Sequence, residues 1–315
     1  MSKKIVFVCS DQSSKKELEL CLEALKAVLR KFRKSANFSF VTLDLSSNFY
    51  EASKKKALAL KEKYDAILWN LKKDNLRMEQ SFIRDCFSCT ARQSALGGVS
   101  IFSPVFKSYD STTENEYTKT MVYQTSAIRH CAYLSAEYAQ GRTKSVLVCT
   151  DTYKKEDSLL YTELENELGG RRNFHTEHYT FDEMIYSLLR RLPICDSILT
   201  TDEKADVLKA HLVSMHDYPT AFSVWHSQNV KVYMKDFVAY DEISCCAYAS
   251  LLLAAAELLI NDLSFQSAGA WLRRCTSLTL NDCPSKTVFD FQNRLLYEIN
   301  TPIRKRQAKE IDSKN

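Results

Sequence analysis

A chain of 315 residues, 45% of them hydrophobic, can bury a sizeable core, enough for two lobes. Its 43 Lys and Arg stand against 39 Asp and Glu, a net charge of +4 with the signs interspersed, which excludes the basic stripe of a nucleic-acid binder. Six glycines and five prolines are few for an enzyme whose phosphate loops need glycine, and eleven scattered cysteines exclude the even disulfide framework of a small secreted domain.

The opening MSKKIVFVCSD has too short an apolar run for a signal peptide or a membrane span. KKIVFVCS predicts a first buried strand. KKELELCLEALKAVLRKF predicts an amphipathic helix, with Leu18, Cys21, Leu22, Leu25, Val28 and Leu29 at helical spacing. NFSFVTLDL reads as a second strand, ASKKKALALKEK as a charged helix, and YDAILWNL as a third strand. This βαβαβ opening favours a parallel sheet flanked by helices. The CxxC of RDCFSCTAR, Cys86 and Cys89, lacks the further ligands of a zinc site and the strand–turn–helix setting of a redox motif. Both are expected to be ordinary helix cysteines, as is the pair Cys245 and Cys246.

SALGGVSIFSPVFKSYDS, with a glycine pair and a proline, is expected to cross between lobes. SAIRHCAYLSAEYAQGR predicts a helix, KSVLVCT a strand, the stretch around Leu159–Leu168 a helix, and DEMIYSLLRRL another helix. The apolar run 196–200 then leads into the acidic turn Thr201-Asp202-Glu203 and a helix with Ala205, Leu208, Leu212 and Met215 on one face. A strand that delivers carboxylates to a helix start is a place to bind a metal or a polar ligand. The longest apolar stretch, 247–260, is broken by Ser250 and Glu257, is too short for a bilayer, and predicts a buried helix. Helices around Ala268–Thr276 and from Val288 precede a charged tail expected to fray. The expected organisation is a discontinuous large α/β domain, 1–96 plus 218–315, with a smaller α/β domain, 97–217, inserted. SKKK and RKR read as solvated charge clusters, and the six histidines show no catalytic Ser or Cys partner spacing.

The order of these pieces resembles the isocitrate/isopropylmalate dehydrogenase family of decarboxylating NAD(P)-dependent enzymes. SAIRHCAYLSAEYAQGRTKSVLVCTDTYKKEDSLLYTELENEL is similar to the helix, strand and helix around that family's catalytic lysine. HYTFDEMIYSLLRRLPICDSILTTDEKADVLKAHLVSM is similar to its Val-Asp-x-x-x-Met helix, Phe-Asp-x-Ile-x-Thr strand and Gly-Asp-Ile-Leu-Ser-Asp helix. VFVCSDQSSKKELELCLEAL and ISCCAYASLLLAAAELL extend the likeness to both ends. The resemblance implies an α/β, isopropylmalate dehydrogenase-like, two-lobed α/β/α sandwich with a mixed, mostly parallel sheet.

Carried over residue by residue, the same resemblance implies a depleted site. Asp182 in FDEM and Asp206 in ADVL fall where the family has metal aspartates, whereas the third position, four residues on, is Ala210. Taken alone, Asp182 reads as an N-cap and Asp206 as an acid favoured by the helix dipole. The catalytic lysine falls at Asp151. Lys154, Lys155 and Tyr123 take the catalytic roles only in a shifted register. The substrate-binding arginine before proline falls at Ser103, while Arg92 stands for the arginine upstream, displaced by one. His226 occupies the histidine position of the adenosine loop, without the glycines or proline around it; read alone, it is a satisfied polar histidine. SDQSSKKE has no glycine where the family has three.

This pattern implies a catalytically inactive relative, a pseudoenzyme or regulatory-subunit-like chain, with no cofactor. The alternative is a divergent oxidative decarboxylase of a 2-hydroxy diacid using NAD(P) and Mg2+ or Mn2+. A further reading is an α/β binding module that shares architecture alone. The implied partner is a second copy or a paralogue, in a homodimer or heterodimer through the inserted lobe, about 126–190. Neither nucleic acid nor membrane is expected, and the expected location is the cytoplasm.

Overall fold

The computed structural model describes residues 2–46, 48–70, 76–94, 99–112, 117–153, 158–190, 195–214, 220–227, 230–236, 244–282 and 287–302, without the side chains of 76–80, 94, 107–121 and 244. In chain order the elements are β1 (Lys3–Cys9), α1 (Gln12–Lys31), β2 (Ala36–Thr42), α2 (Tyr50–Ala59), β3 (Ala66–Asn70) and α3 (Leu76–Cys86). There follow β4 (Cys89–Ser94), β5 (Ser100–Pro104), β6 (Phe106–Thr112), β7 (Tyr117–Tyr123), α4 (Thr125–Gln140), β8 (Ser145–Thr150) and α5 (Leu159–Leu168). The remainder is β9 (His175–Thr180), α6 (Phe181–Leu189), β10 (Ser197–Thr200), α7 (Asp202–Ser214), β11 (Ala221–His226), β12 (Lys231–Lys235), α8 (Ser244–Asn261), α9 (Gln266–Asp282) and α10 (Val288–Asn300). Ten strands form a mixed, mostly parallel sheet, as expected from the sequence, and β6 and β7 form a separate antiparallel pair.

The chain divides into two compact units. The first holds residues 1–82, 217–224 and 229–315, with strands in the order β2-β1-β3-β12-β11. β1 pairs in parallel with both β2 and β3, and β3 pairs in parallel with β12. Ile5 to Cys9 are all buried, and so is every residue of β3, because strands of a parallel sheet are covered on both faces. α1 turns Leu18, Cys21, Leu25, Val28 and Leu29 inward, the stripe that its spacing predicts. α8 is apolar all round and buried along most of its length. It meets α9 at Gly269, whose lack of a side chain permits the approach: a Cβ there would lie 2.5 Å from Ile260 Cγ1 and 2.6 Å from the Ala256 carbonyl oxygen.

The second unit holds residues 83–216 and 225–228, with strands in the order β4-β5-β10-β8-β9. β4 runs antiparallel to β5, whereas β5, β10, β8 and β9 run parallel to one another. Ile101, Leu147, Ile198, Met184, Leu188, Ala205 and Leu208 form a core shared by β5, β8, β10, α6 and α7. Of the stretch expected to cross between lobes, residues 99–111 carry β5 and most of β6 in this unit, and 95–98 lie outside the described residues.

The CxxC expectation is half right. Cys86 closes α3, but Cys89 opens strand β4. The ten described cysteines are buried, and no two of them are joined by a disulfide. Among the described residues no helix is long and apolar enough to cross a membrane.

Candidate functional site

In the second unit, β4 and β5 pair so that Thr90 lies opposite Ser103. Side chains two apart on a strand share a face, so Arg92 and Ser103 project to the same side. β10 then ends at Thr200 and α7 begins at Asp202, a carboxylate in the first turn, where the helix dipole favours it. Asp206 is one turn further along the same helix face. These elements converge on Arg92. Its Nη1 donates to Ser103 Oγ at 2.6 Å, its Nη2 to Asp202 Oδ1, and its Nε lies 3.1 Å from Asp206 Oδ1. Ser103 Oγ donates in turn to Asp202 Oδ1 at 3.3 Å.

Two more cations close the network. Arg84 Nη2 donates to Asp202 Oδ2 at 3.2 Å while its guanidinium lies over the Phe106 ring, and Lys209 Nζ donates to Asp206 Oδ1 at 3.3 Å. Arg92, Ser103, Asp202 and Lys209 are buried, whereas half of the Asp206 side chain is exposed. Burial alone would raise the carboxyl of Asp206. The Arg92 guanidinium and then the Lys209 ammonium outweigh it and hold the group below its usual value.

Tyr123, at the end of β7, is pushed up to about 12, first by burial and then by the Asp202 charge. It stays a neutral phenol, and its hydroxyl is buried without a well-formed hydrogen bond. Asp182 lies in the first turn of α6, exposed. It is not the cap: Thr180 takes that place, in a capping box with Glu183. Asp151, at the expected lysine position, forms an ion pair with Lys204. Lys154 and Lys155 lie outside the described residues. His226 ends β11. Its carbonyl accepts from the Ser88 backbone at 2.9 Å, and its ring sits edge-on to His130, whose imidazole is lowered by burial. Sequence reasoning placed Asp202 in an acidic turn suited to a metal or polar ligand; the structure ties its carboxylate to Arg92, Arg84 and Ser103.

In the first unit the strand order β2-β1-β3 reverses direction at β1, the kind of switch point where open α/β sheets bind ligands. Here the N-terminus of α1 is closed by its own acid. Asp11 Oδ1 accepts from the Ser14 backbone at 2.8 Å and from Ser14 Oγ at 2.6 Å. Asn70, ending β3, donates to the Ser14 carbonyl and to Glu17 Oε2, both at 2.9 Å, and the buried Lys235, ending β12, also donates to Glu17. Ser10 Oγ and Asn70 Oδ1 are buried without a partner.

No protein-family model matches the sequence, and no curated protein matches it either. Solved structures do. The TT0538 protein of Thermus thermophilus superposes with a TM-score of 0.75 at 13% identity, over 97% of this chain and 70% of that one. A beta-decarboxylating dehydrogenase of Thermococcus kodakarensis superposes with a TM-score of 0.69 at 12% identity, over 94% of this chain and 96% of its own. The chain has a beta-decarboxylating dehydrogenase fold.

On that fold, the groups expected to hold a divalent cation do not fit one. Mg2+ takes about six oxygens, with one or two protein carboxylates free to face it and water or substrate filling the rest. Asp206 is committed to Arg92 and Lys209, Asp182 lies exposed in the first turn of α6, and Ala210 supplies no oxygen; the nearby Asp202 is held by Arg92 and Arg84. Among the described residues no group of three or more His, Cys, Asp or Glu side chains is placed to hold a metal. Nor does the first turn of α1 fit a phosphate, because the Asp11 carboxylate already sits on the donors that would take it.

Proposed function

We propose that this chain is a non-catalytic protein on a beta-decarboxylating dehydrogenase fold, serving as a partner or regulatory subunit in a homodimer or in a heterodimer with a paralogue. The observation that carries this reading is Arg92, all three of whose guanidinium nitrogens are engaged by side chains of the same chain. Bidentate capture of a substrate carboxylate needs two of those nitrogens, and each is neutralised or bonded already. The contact surface assigned here is the apolar face of α6 and α7, where Tyr186, Leu189 and Val207 are more than half exposed.

A divergent NAD(P)- and metal-dependent decarboxylase is the second reading. It has one observation of its own, the unpartnered Ser10 Oγ and Asn70 Oδ1 at the switch point of the first unit. One experiment separates the two. The purified protein is melted with NAD+, NADP+, isocitrate and isopropylmalate, each with and without Mn2+, and the same mixtures are followed by absorbance for reduced cofactor. A ligand at about a hundredfold over its dissociation constant adds roughly 2.7 kcal/mol, so a live pocket is visible. The expected result is no shift and no reduced cofactor. A metal-dependent shift with a diacid, accompanied by cofactor reduction, overturns the non-catalytic reading.

A further inference from the structure

The second unit contains a cavity of about 250 Å3 that adjoins the Arg92 network at Tyr123 and Thr201, next to Asp202. It opens where β5, β8 and β10 end, beside Pro104, Thr150 and Thr201, and is closed by the start of α4 and α5. The carboxyl ends of parallel strands are where α/β sheets take small molecules. We propose that this cavity is a binding site for a small, uncharged aromatic molecule.

The chemistry follows from what the wall offers. Tyr123, Pro104, Ile128, Leu159 and Leu160 supply carbon surface. Apart from the Tyr123 hydroxyl, which has no well-formed hydrogen bond, the polar groups beside them are mostly spent on one another. Thr150 Oγ1 bonds His178 Nε2 at 2.7 Å and Thr152 Oγ1 at 2.9 Å, Ser158 Oγ accepts from the Tyr161 backbone at 3.3 Å, and Asp151 pairs with Lys204. A charged ligand would therefore lose its hydration and find no unspent counter-charge, whereas an apolar one loses nothing by entering. Size narrows the class. A cavity of roughly 150 Å3 accepts benzene, so this one suits a fused pair of rings, about nine or ten non-hydrogen atoms. Tyr123 supplies an aromatic ring to the wall, which suits an aromatic occupant. One wall residue, Leu159, is 47% exposed.

Indole is the probe, titrated into the full-length protein and followed by saturation-transfer NMR, with sedimentation run on the same samples. The wild-type protein is expected to bind it saturably. Leu159→Trp, which plugs the cavity from a half-exposed position, is expected to weaken binding by about tenfold or more. Ile128→Phe, which fills it from α4, gives a second reading should the first variant fail to fold. Absence of saturation up to the solubility of indole overturns the proposal, as does equal binding by wild type and a folded plugged variant. So does dissociation of an oligomer by indole, which would make the occupant a side chain of another protein.

Discussion

Removing the Arg92 side chain would strand Asp202, 1% exposed, with the partly exposed Arg84 as its remaining cation among the described residues. Breaking a buried ion pair from one side costs more than the pair is worth, because the surviving charge stays desolvated. Arg92→Ala is therefore expected to lower stability by about 3–5 kcal/mol, read from urea unfolding at neutral pH. Arg92→Lys should recover little of that, since one ammonium cannot span three acceptors that a planar fork reaches. A loss below about 1 kcal/mol for the alanine variant would show that the network is not formed as described. Asp206 makes a separate, pH-dependent contribution. Its folded value lies below the ordinary 3.8, so the unfolded chain binds the proton more readily. The stabilisation is complete above the unfolded value and is lost as pH falls through the folded one. Asp206→Asn should thus lower the urea midpoint most at neutral pH and flatten its fall between about pH 5 and pH 2, so that variant and wild type converge at the acid end. At this scale the sequence shows Asp206 and Arg92 only through the family resemblance, each as a separate remnant. That they hold each other, with Asp202 between, depends on β4 lying beside β5 and on α7 starting where β10 stops, which no spacing in the chain reveals.

Gly269 illustrates how one element constrains another. In an exposed helix, Gly→Ala stabilises by about 1 kcal/mol. Here the added Cβ would come within 2.6 Å of a backbone oxygen of α8, an atom that cannot rotate away. Strain wins, and Gly269→Ala is expected to destabilise by about 1–3 kcal/mol, seen as a lower melting temperature with unchanged helical circular dichroism. A melting temperature at or above wild type would mean that α8 and α9 separate more easily than the contact suggests. The legible elements are those with strong periodicity or unbroken apolar runs: β1, α1, β3, α4, β8, α6 and α8 fall where the sequence puts them. The illegible ones lack both signals. β9, HTEHYT, is an edge strand with no fully buried residue, so it has no apolar face to announce it. β4 is hidden behind a CxxC that reads as helical. β11 and β12, AFSVWH and KVYMK, fall in the stretch that aligns with a cofactor loop, and that comparison masks their buried residues.

Across the whole molecule, the fold is held by elements that need no ligand. The apolar strands, the buried helix α8 and the capped helices hold the fold through burial and backbone hydrogen bonds, and none of these depends on a metal or a dinucleotide. The carboxylates of the second unit rely on charge partners as well: Asp202 and Asp206 are held by Arg92, Arg84 and Lys209. Tyr186 and Leu189 on α6 are 57% and 59% exposed and Val207 on α7 is 51% exposed, large side chains that gain nothing from water. If these helices form the subunit contact, Tyr186→Arg with Leu189→Arg places two guanidinium groups in its centre, and like charges from both copies meet there. The double variant should sediment as a monomer at concentrations where wild type does not. Its melting temperature should also lose the dependence on protein concentration that an associating native state imposes. Should wild type itself sediment as a monomer alone and melt at one temperature across a wide dilution series, the homodimer is ruled out. Mixing with an intact paralogue then becomes the remaining form of the proposal, and the same double variant should abolish that association too.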